Sequence, residues 1–199
     1  GKSELATLDH VLESGADQAR LYTEILDELG IDKAYVVGAS EGGFIASNLA
    51  RYAPQRVEKM ALLGPMGYAG AAESVVRIMF TTFVPLKPVQ DSTFRWAFSD
   101  SPDMQREFGE WFRLVMTGYN PTAKVAPLPL PAEARQSIAT PTLFVFGERD
   151  NLVGDPAAAR QLVQDMPNVQ VAVVDAGHLM AGEMPQQVDA LILDFFGEN

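Results

Sequence analysis
The chain contains no cysteine, which removes disulfide frameworks and thiolate metal sites and fits a reducing, cytoplasmic setting. Basic residues are few: 15 Lys and Arg stand against 26 Asp and Glu, for a formal charge of −11. That balance argues against nucleic acid or an anionic membrane surface as a partner. No apolar run approaches the roughly 18 residues of a membrane-spanning helix. Histidine is scarce, with only His10 and His178, and neither sits in a cluster of metal-ligand spacing. Neither an internal repeat nor a low-complexity tract is present. What remains is 199 residues, 47% hydrophobic and 21% charged, enough for one ordinary globular domain with a sizeable core.

The most informative stretch is Val36-Val37-Gly38-Ala39-Ser40-Glu41-Gly42-Gly43. An apolar run ends in Gly-x-Ser-x-Gly and a small-residue helical pattern follows, as expected of a serine nucleophile on a tight strand-to-helix turn. Gly38 and Gly42 are expected to be required because a Cβ at either position would clash within the turn. Two further segments supply context. Thr142–Phe146 is a short apolar run that stops at Gly147, three residues before Asp150. Val171–Val174 is another, followed at once by Asp175-Ala176-Gly177-His178. Ser, Asp, His is the order of a hydrolytic triad on a parallel sheet, where sites gather at the carboxyl ends of strands. Asp155 and Asp175 are rival acids, but Pro156 marks Asp155 as a helix cap, and Asp175 lies just before the histidine turn.

The coarse pattern alternates strands and helices. Ser14 caps a helix carrying Tyr22, Ile25, Leu26 and Leu29 at helical spacing, stopped by Gly30. Strands are expected at 33–38, 57–63, 142–147 and 169–174, and helices at 42–53, after Asp155, and from Pro185 onward. The inner faces of the last two would carry Ala159, Leu162, Val163 and Met166, and then Val188, Leu191, Ile192 and Phe195. Residues 1–64 and 139–199 read as an α/β core with a parallel sheet and crossover helices. From 65 to 138 the alternation lapses into an insert holding both tryptophans, cut by Pro85, Pro88 and Pro102 and ending in a Pro-rich connector from Pro121 to Pro131. The insert reads as a helical cap, and Trp96, Trp111, Phe112 and Met66 are candidates for an apolar pocket wall. Equally, these aromatics could pack only the small core of the cap.

The turn at Gly38–Gly42, the Gly-Glu-Arg-Asp ending at Asp150 and the Gly177-His178 pair resemble the α/β-hydrolase superfamily over essentially the whole chain. Among its branches the likeness is to carboxylesterase-like enzymes with a helical cap; a serine at position 40 argues against the haloalkane dehalogenases, whose nucleophile is an aspartate. The resemblance implies Ser40 as nucleophile, His178 as base, Asp150 as its partner and the backbone N–H of Glu41 as an oxyanion donor. It implies a small-molecule ester substrate and neither metal nor cofactor. Gly1-Lys2-Ser3 looks like the end of a loop that follows the fourth strand in that family. The chain therefore reads as the carboxyl-terminal two-thirds of such a domain, weakly active alone and accompanied by an amino-terminal fragment that covers the strand before Ser40. Two other classes stay open: a non-catalytic ligand-binding or regulatory protein of this fold, and a nucleotide hydrolase for which Gly1-Lys2-Ser3 ends a phosphate-binding loop. Within the hydrolases, lactonase, acyltransferase, perhydrolase and carbon–carbon hydrolase activities share the same triad.

Overall fold
A computed structural model of the chain describes residues 12–68, 72–84, 86–118, 125 and 127–197. Gly1-Lys2-Ser3, His10, Pro85 and Pro121 lie outside them. The described elements run α1 (Gly15–Glu28), β1 (Ala34–Ala39), α2 (Glu41–Tyr52), β2 (Val57–Leu63), α3 (Ala72–Phe83), α4 (Lys87–Ala97), α5 (Pro102–Gly118), α6 (Ala132–Gln136), β3 (Thr142–Gly147), α7 (Pro156–Val163), β4 (Val169–Val174), α8 (Met180–Glu183) and α9 (Pro185–Phe196). The four strands form one parallel sheet in the order β1-β2-β3-β4.

Alternation along the strands divides the apolar side chains between two faces. Met60 and Leu62 of β2 and Phe144 and Phe146 of β3 join α1, α2, α6 and α7 in one core. Ala61, Leu63, Leu143 and Val145 point the other way and meet α9 through Val188 and Phe196. All six residues of β3 are buried, as a near-continuous apolar run predicts for a strand covered on both faces. Phe144 stands edge-on to Tyr68 at 4.8 Å between ring centres, and burial of a ring of this size is worth about 2–3 kcal/mol.

Local signals account for most boundaries. Ser14 accepts a hydrogen bond from the Asp17 N–H at 3.2 Å and donates one to its carboxylate at 2.8 Å. Asp155 accepts from the Ala157 N–H at 2.9 Å, and Pro156 opens α7 behind it. The prolines of the insert start helices: Pro88 lies in the first turn of α4 and Pro102 begins α5. In α1 the buried residues are not those of the apolar stripe. Gln18 and Ala19 are the buried residues of α1, whereas Tyr22, Ile25 and Leu29 are exposed. Gln18 is held inside by a hydrogen bond from Asn48 of α2 at 2.9 Å. Leu162 is likewise outside the inner face of α7.

Candidate active site
Strand register sets the site. Ala39 pairs with Leu63, Leu63 with Val145, and Gly147 with Val174, so the chain leaves all four strands at the carboxyl end of the sheet. Backbone bonds continue beyond the strands: Ser40 N–H to Leu63 O at 3.0 Å, Gly64 N–H to Val145 O at 2.8 Å and Arg149 N–H to Ala176 O at 3.0 Å.

Ser40 lies between β1 and α2 with φ 54° and ψ −121°, a conformation in which a non-glycine residue stores about 1–3 kcal/mol of strain. Its carbonyl accepts from the N–H groups of Gly43 and Met66, both at 3.0 Å. A Cβ on Gly38 would lie 2.5 Å from the Gly42 carbonyl oxygen, so glycine is required there. Gly42 is a correction: a Cβ on it would meet nothing within 4 Å among the described residues. Gly43 is the crowded neighbour instead, since its Cβ would lie 2.5 Å from the Cβ of Pro65. Glu41 opens α2 with an exposed side chain. Its N–H belongs to the first turn, where no intrahelical acceptor exists.

Asp150 and His178 are both buried and meet directly, with Asp150 Oδ2 2.8 Å from His178 Nδ1. The other carboxylate oxygen accepts from the N–H groups of Leu152 at 2.9 Å and Val153 at 3.1 Å, which fixes its orientation. His178 Nε2 is shielded from solvent and has no hydrogen-bond partner among the described residues. Gly64, at φ 48°, lets the pair approach the end of β2: a Cβ there would lie 2.8 Å from Asp150 Oδ2 and 3.2 Å from His178 Nδ1. Asp150 and His178 are thus joined side chain to side chain. Ser40 connects to them through Leu63 and Gly64, and no hydrogen bond to its hydroxyl occurs among the described residues.

The rival acids have other partners. Asp155 caps α7, and Asp175 accepts from Arg149 Nε at 3.0 Å. Arg149 also reaches Asp100 at 2.5 Å and Glu183 at 3.4 Å. Burial opposes its charge, but Asp100 and then Asp175 outweigh that and raise its pKa above the usual value.

The four candidates for a pocket wall separate. Phe112 is buried in a ring cluster with Phe94 and Phe98, and Phe98 stands edge-on to the His178 imidazole at 5.7 Å. Trp96 lies beneath the guanidinium of Arg77 at 4.5 Å and borders an open groove of about 360 Å³ whose other walls are the polar stretch Glu148–Asn151 and Gly154–Pro156. Trp111 is 61% exposed. Met66 packs against the larger core.

Three residues went unnoticed in the sequence. Phe98 carried no signal beyond its place in an aromatic-rich insert. Glu183 looked like any acidic residue near a helix start. Tyr68 donates to Ser47 at 2.8 Å, and Ser47 donates to Gly43 O at 2.7 Å, tying the first turn of α2 to the segment after β2. Burial pushes the Tyr68 phenol well above its usual pKa, with the Ser47 bond opposing.

The family model described as alpha/beta hydrolase family matches residues 3–191. The chain belongs to that family. It is 28% identical over 193 residues to carboxylesterase YbfK of Bacillus subtilis, covering 92% of this chain and 64% of that one. It is 30% identical over 192 residues to the dihydrolipoyllysine-residue acetyltransferase component of the acetoin cleaving system of Cupriavidus necator, covering 92% of this chain and 50% of that one. It thus spans less than two-thirds of the length of these two relatives. The crystal structure of the B. subtilis carboxylesterase CesB (YbfK) superposes with a TM-score of 0.84 at 23% identity, covering 100% of this chain and 71% of that one. That of the B. subtilis naproxen esterase gives 0.83 at 23% identity, covering 98% and 70%. At that identity the structural likeness speaks for the fold. The α/β-hydrolase fold expected from the family resemblance is therefore the observed one. No helix among the described residues is long and apolar enough to cross a membrane.

Proposed function
We propose that this α/β-hydrolase chain supplies the nucleophile, base and acid of a serine hydrolase that cleaves carboxylic esters through an acyl-enzyme. The observation that carries the reading is the buried Asp150–His178 pair, whose Nε2 has no hydrogen-bond partner among the described residues, at the same carboxyl end of the sheet as a serine held at positive φ. The likeness to named carboxylesterases favours ester cleavage over the other reactions this triad serves. Phe98 beside His178, backed by Phe94 and Phe112, favours a small-to-medium apolar acyl or alcohol group, with residues 65–138 as its cap.

A serine hydroxyl needs a base to be a useful nucleophile at neutral pH. In this mechanism Ser40 Oγ bonds to the ester carbonyl carbon while its proton passes to His178 Nε2. Asp150 holds Nδ1–H and stabilises the imidazolium. The carbonyl electron pair moves onto oxygen, which accepts from the Glu41 N–H. Collapse expels the alkoxide, which leaves as alcohol with the proton from Nε2. Water then repeats the sequence on the acyl-serine, returning the enzyme and releasing the carboxylic acid.

A second reading is that the same site binds ligands without turning them over, since no hydrogen bond to the Ser40 hydroxyl occurs among the described residues. Intact-protein mass spectrometry with a fluorophosphonate probe separates the two. A single adduct, absent from Ser40→Ala, is expected. No adduct, or one that persists in Ser40→Ala, overturns the serine hydrolase.

A further inference from the structure
The segment that carries His178, Asp175–Leu179, is held by bonds from three other parts of the chain. Arg149 donates from its backbone to Ala176 O at 3.0 Å and from Nη2 to Asp175 O at 3.0 Å. Leu179 N–H donates to Phe98 O, after α4, at 3.1 Å. The Gly177 N–H, immediately before His178, donates to both carboxylate oxygens of Glu183, at 3.1 and 3.2 Å. Gly177 is enclosed there: a Cβ would lie 2.7 Å from Phe98 O and 3.0 Å from Glu183 Oε1.

The Glu183 side chain is 5% exposed. A carboxylate so withdrawn from water is tolerated only when donors and positive charge meet it. Gly177 N–H supplies the one and Arg149 the other. The direction of the side chain is informative. Glu183 adjoins the amino end of α9, whose N-cap Met184 makes no side-chain cap bond. A carboxylate at that place has free N–H groups close by to cap. It turns back to the histidine segment instead.

We infer that Glu183, with Arg149, is a positioning residue for the base: it clamps the peptide before His178 so that Nδ1 stays on Asp150 and Nε2 stays unpartnered. The Arg149 guanidinium also holds Asp100 of the insert, so the insert and the base segment share one anchor. This inference rests on the serine hydrolase reading.

The test measures turnover of a p-nitrophenyl ester per Ser40 labelled by the fluorophosphonate, which leaves misfolded chains out of the count. For Glu183→Ala, kcat per labelled site should fall about ten- to a hundredfold, as for a misaligned catalytic group, with KM nearly unchanged. Glu183→Gln keeps an acceptor for Gly177 and should recover most of that loss. Wild-type kcat per labelled site in Glu183→Ala, a change in KM alone, or a glutamine variant as slow as the alanine variant overturns the inference. If Glu183→Ala yields no folded protein, Glu183→Asp, too short to reach Gly177, decides by the same kcat criterion. Absence of labelling in the wild type overturns the serine hydrolase itself, an outcome distinct from a labelled wild type with unaltered variants.

Discussion

The turn that bears Ser40 and the segment that bears His178 both follow the carboxyl ends of strands of one parallel sheet, yet they are held by different means. At Ser40 the restraints lie in the backbone: a positive φ, carbonyl bonds from Gly43 and Met66, and a Gly38 with no room for a side chain. At His178 backbone bonds to the flanking peptides are joined by side chains gathered from afar, with Asp150 on the ring, Arg149 and Glu183 on the flanking peptides and Phe98 edge-on to the imidazole. Each is therefore expected to fail in its own way. A backbone turn packed without slack fails by unfolding, because neighbouring atoms cannot yield. A segment held by side chains can lose one holder, keep its fold and lose alignment.

The largest effect is expected from removing the charge beside His178 without changing shape. Asp150→Asn is expected to lower kcat about 10⁴-fold with little change in melting temperature, since an amide favours the wrong imidazole tautomer. Activity per folded molecule, followed beside a thermal melt, checks this. Loss of folding with full specific activity would put the weight of Asp150 on structure.

Next in size is a contrast within the turn itself. Gly38→Ala should destabilise the protein by about 3 kcal/mol or prevent folding, because the new Cβ meets a backbone carbonyl and overpacking of this kind is not relieved by side-chain rotation. Gly42→Ala should lie within about 1 kcal/mol of wild type, since nothing described stands in its way. Equal effects in urea unfolding would erase the distinction between these two glycines.

The smallest effect belongs to the far end of the molecule. Ser14→Ala removes the cap of α1 at about 1 kcal/mol. The Ser14 bond, followed by that from the Glu13 backbone, lowers the Asp17 pKa below its ordinary 3.8. A depressed carboxylate stabilises the fold above its unfolded pKa and loses that contribution as pH falls through the folded value. The difference between wild type and Ser14→Ala should therefore be full above about pH 4 and narrow at more acidic pH. A gap independent of pH between 2 and 6, read by denaturant melts, would deny the Ser14–Asp17 link.

These contrasts run parallel to what could be read in the chain before its structure. Gly38-x-Ser40, the strand at Thr142–Gly147 and the caps at Ser14 and Asp155 follow from chemistry confined to a few neighbouring residues. Strand alternation and helix spacing are local as well, so four strands and their order along the chain were within reach. Gly42 was misjudged for the same reason: a motif records spacing, while the space around a Cβ is a property of folded neighbours. The burial of Gln18 on α1 was not legible because it needs Asn48, 30 residues away.

The fold class, the tight turn at Ser40 and the order of Ser40, Asp150 and His178 follow from the chain alone, because steric and capping demands act within one or two turns of chain. Which carboxylate meets His178 is set by folding, which leaves Asp150 on the ring and Asp175 on Arg149. Folding alone brought Glu183 back to Gly177 and Phe98 onto the imidazole. Those choices depend on register between parallel strands and on the close approach that Gly64 permits, and no local pattern encodes a distance between segments far apart in the chain.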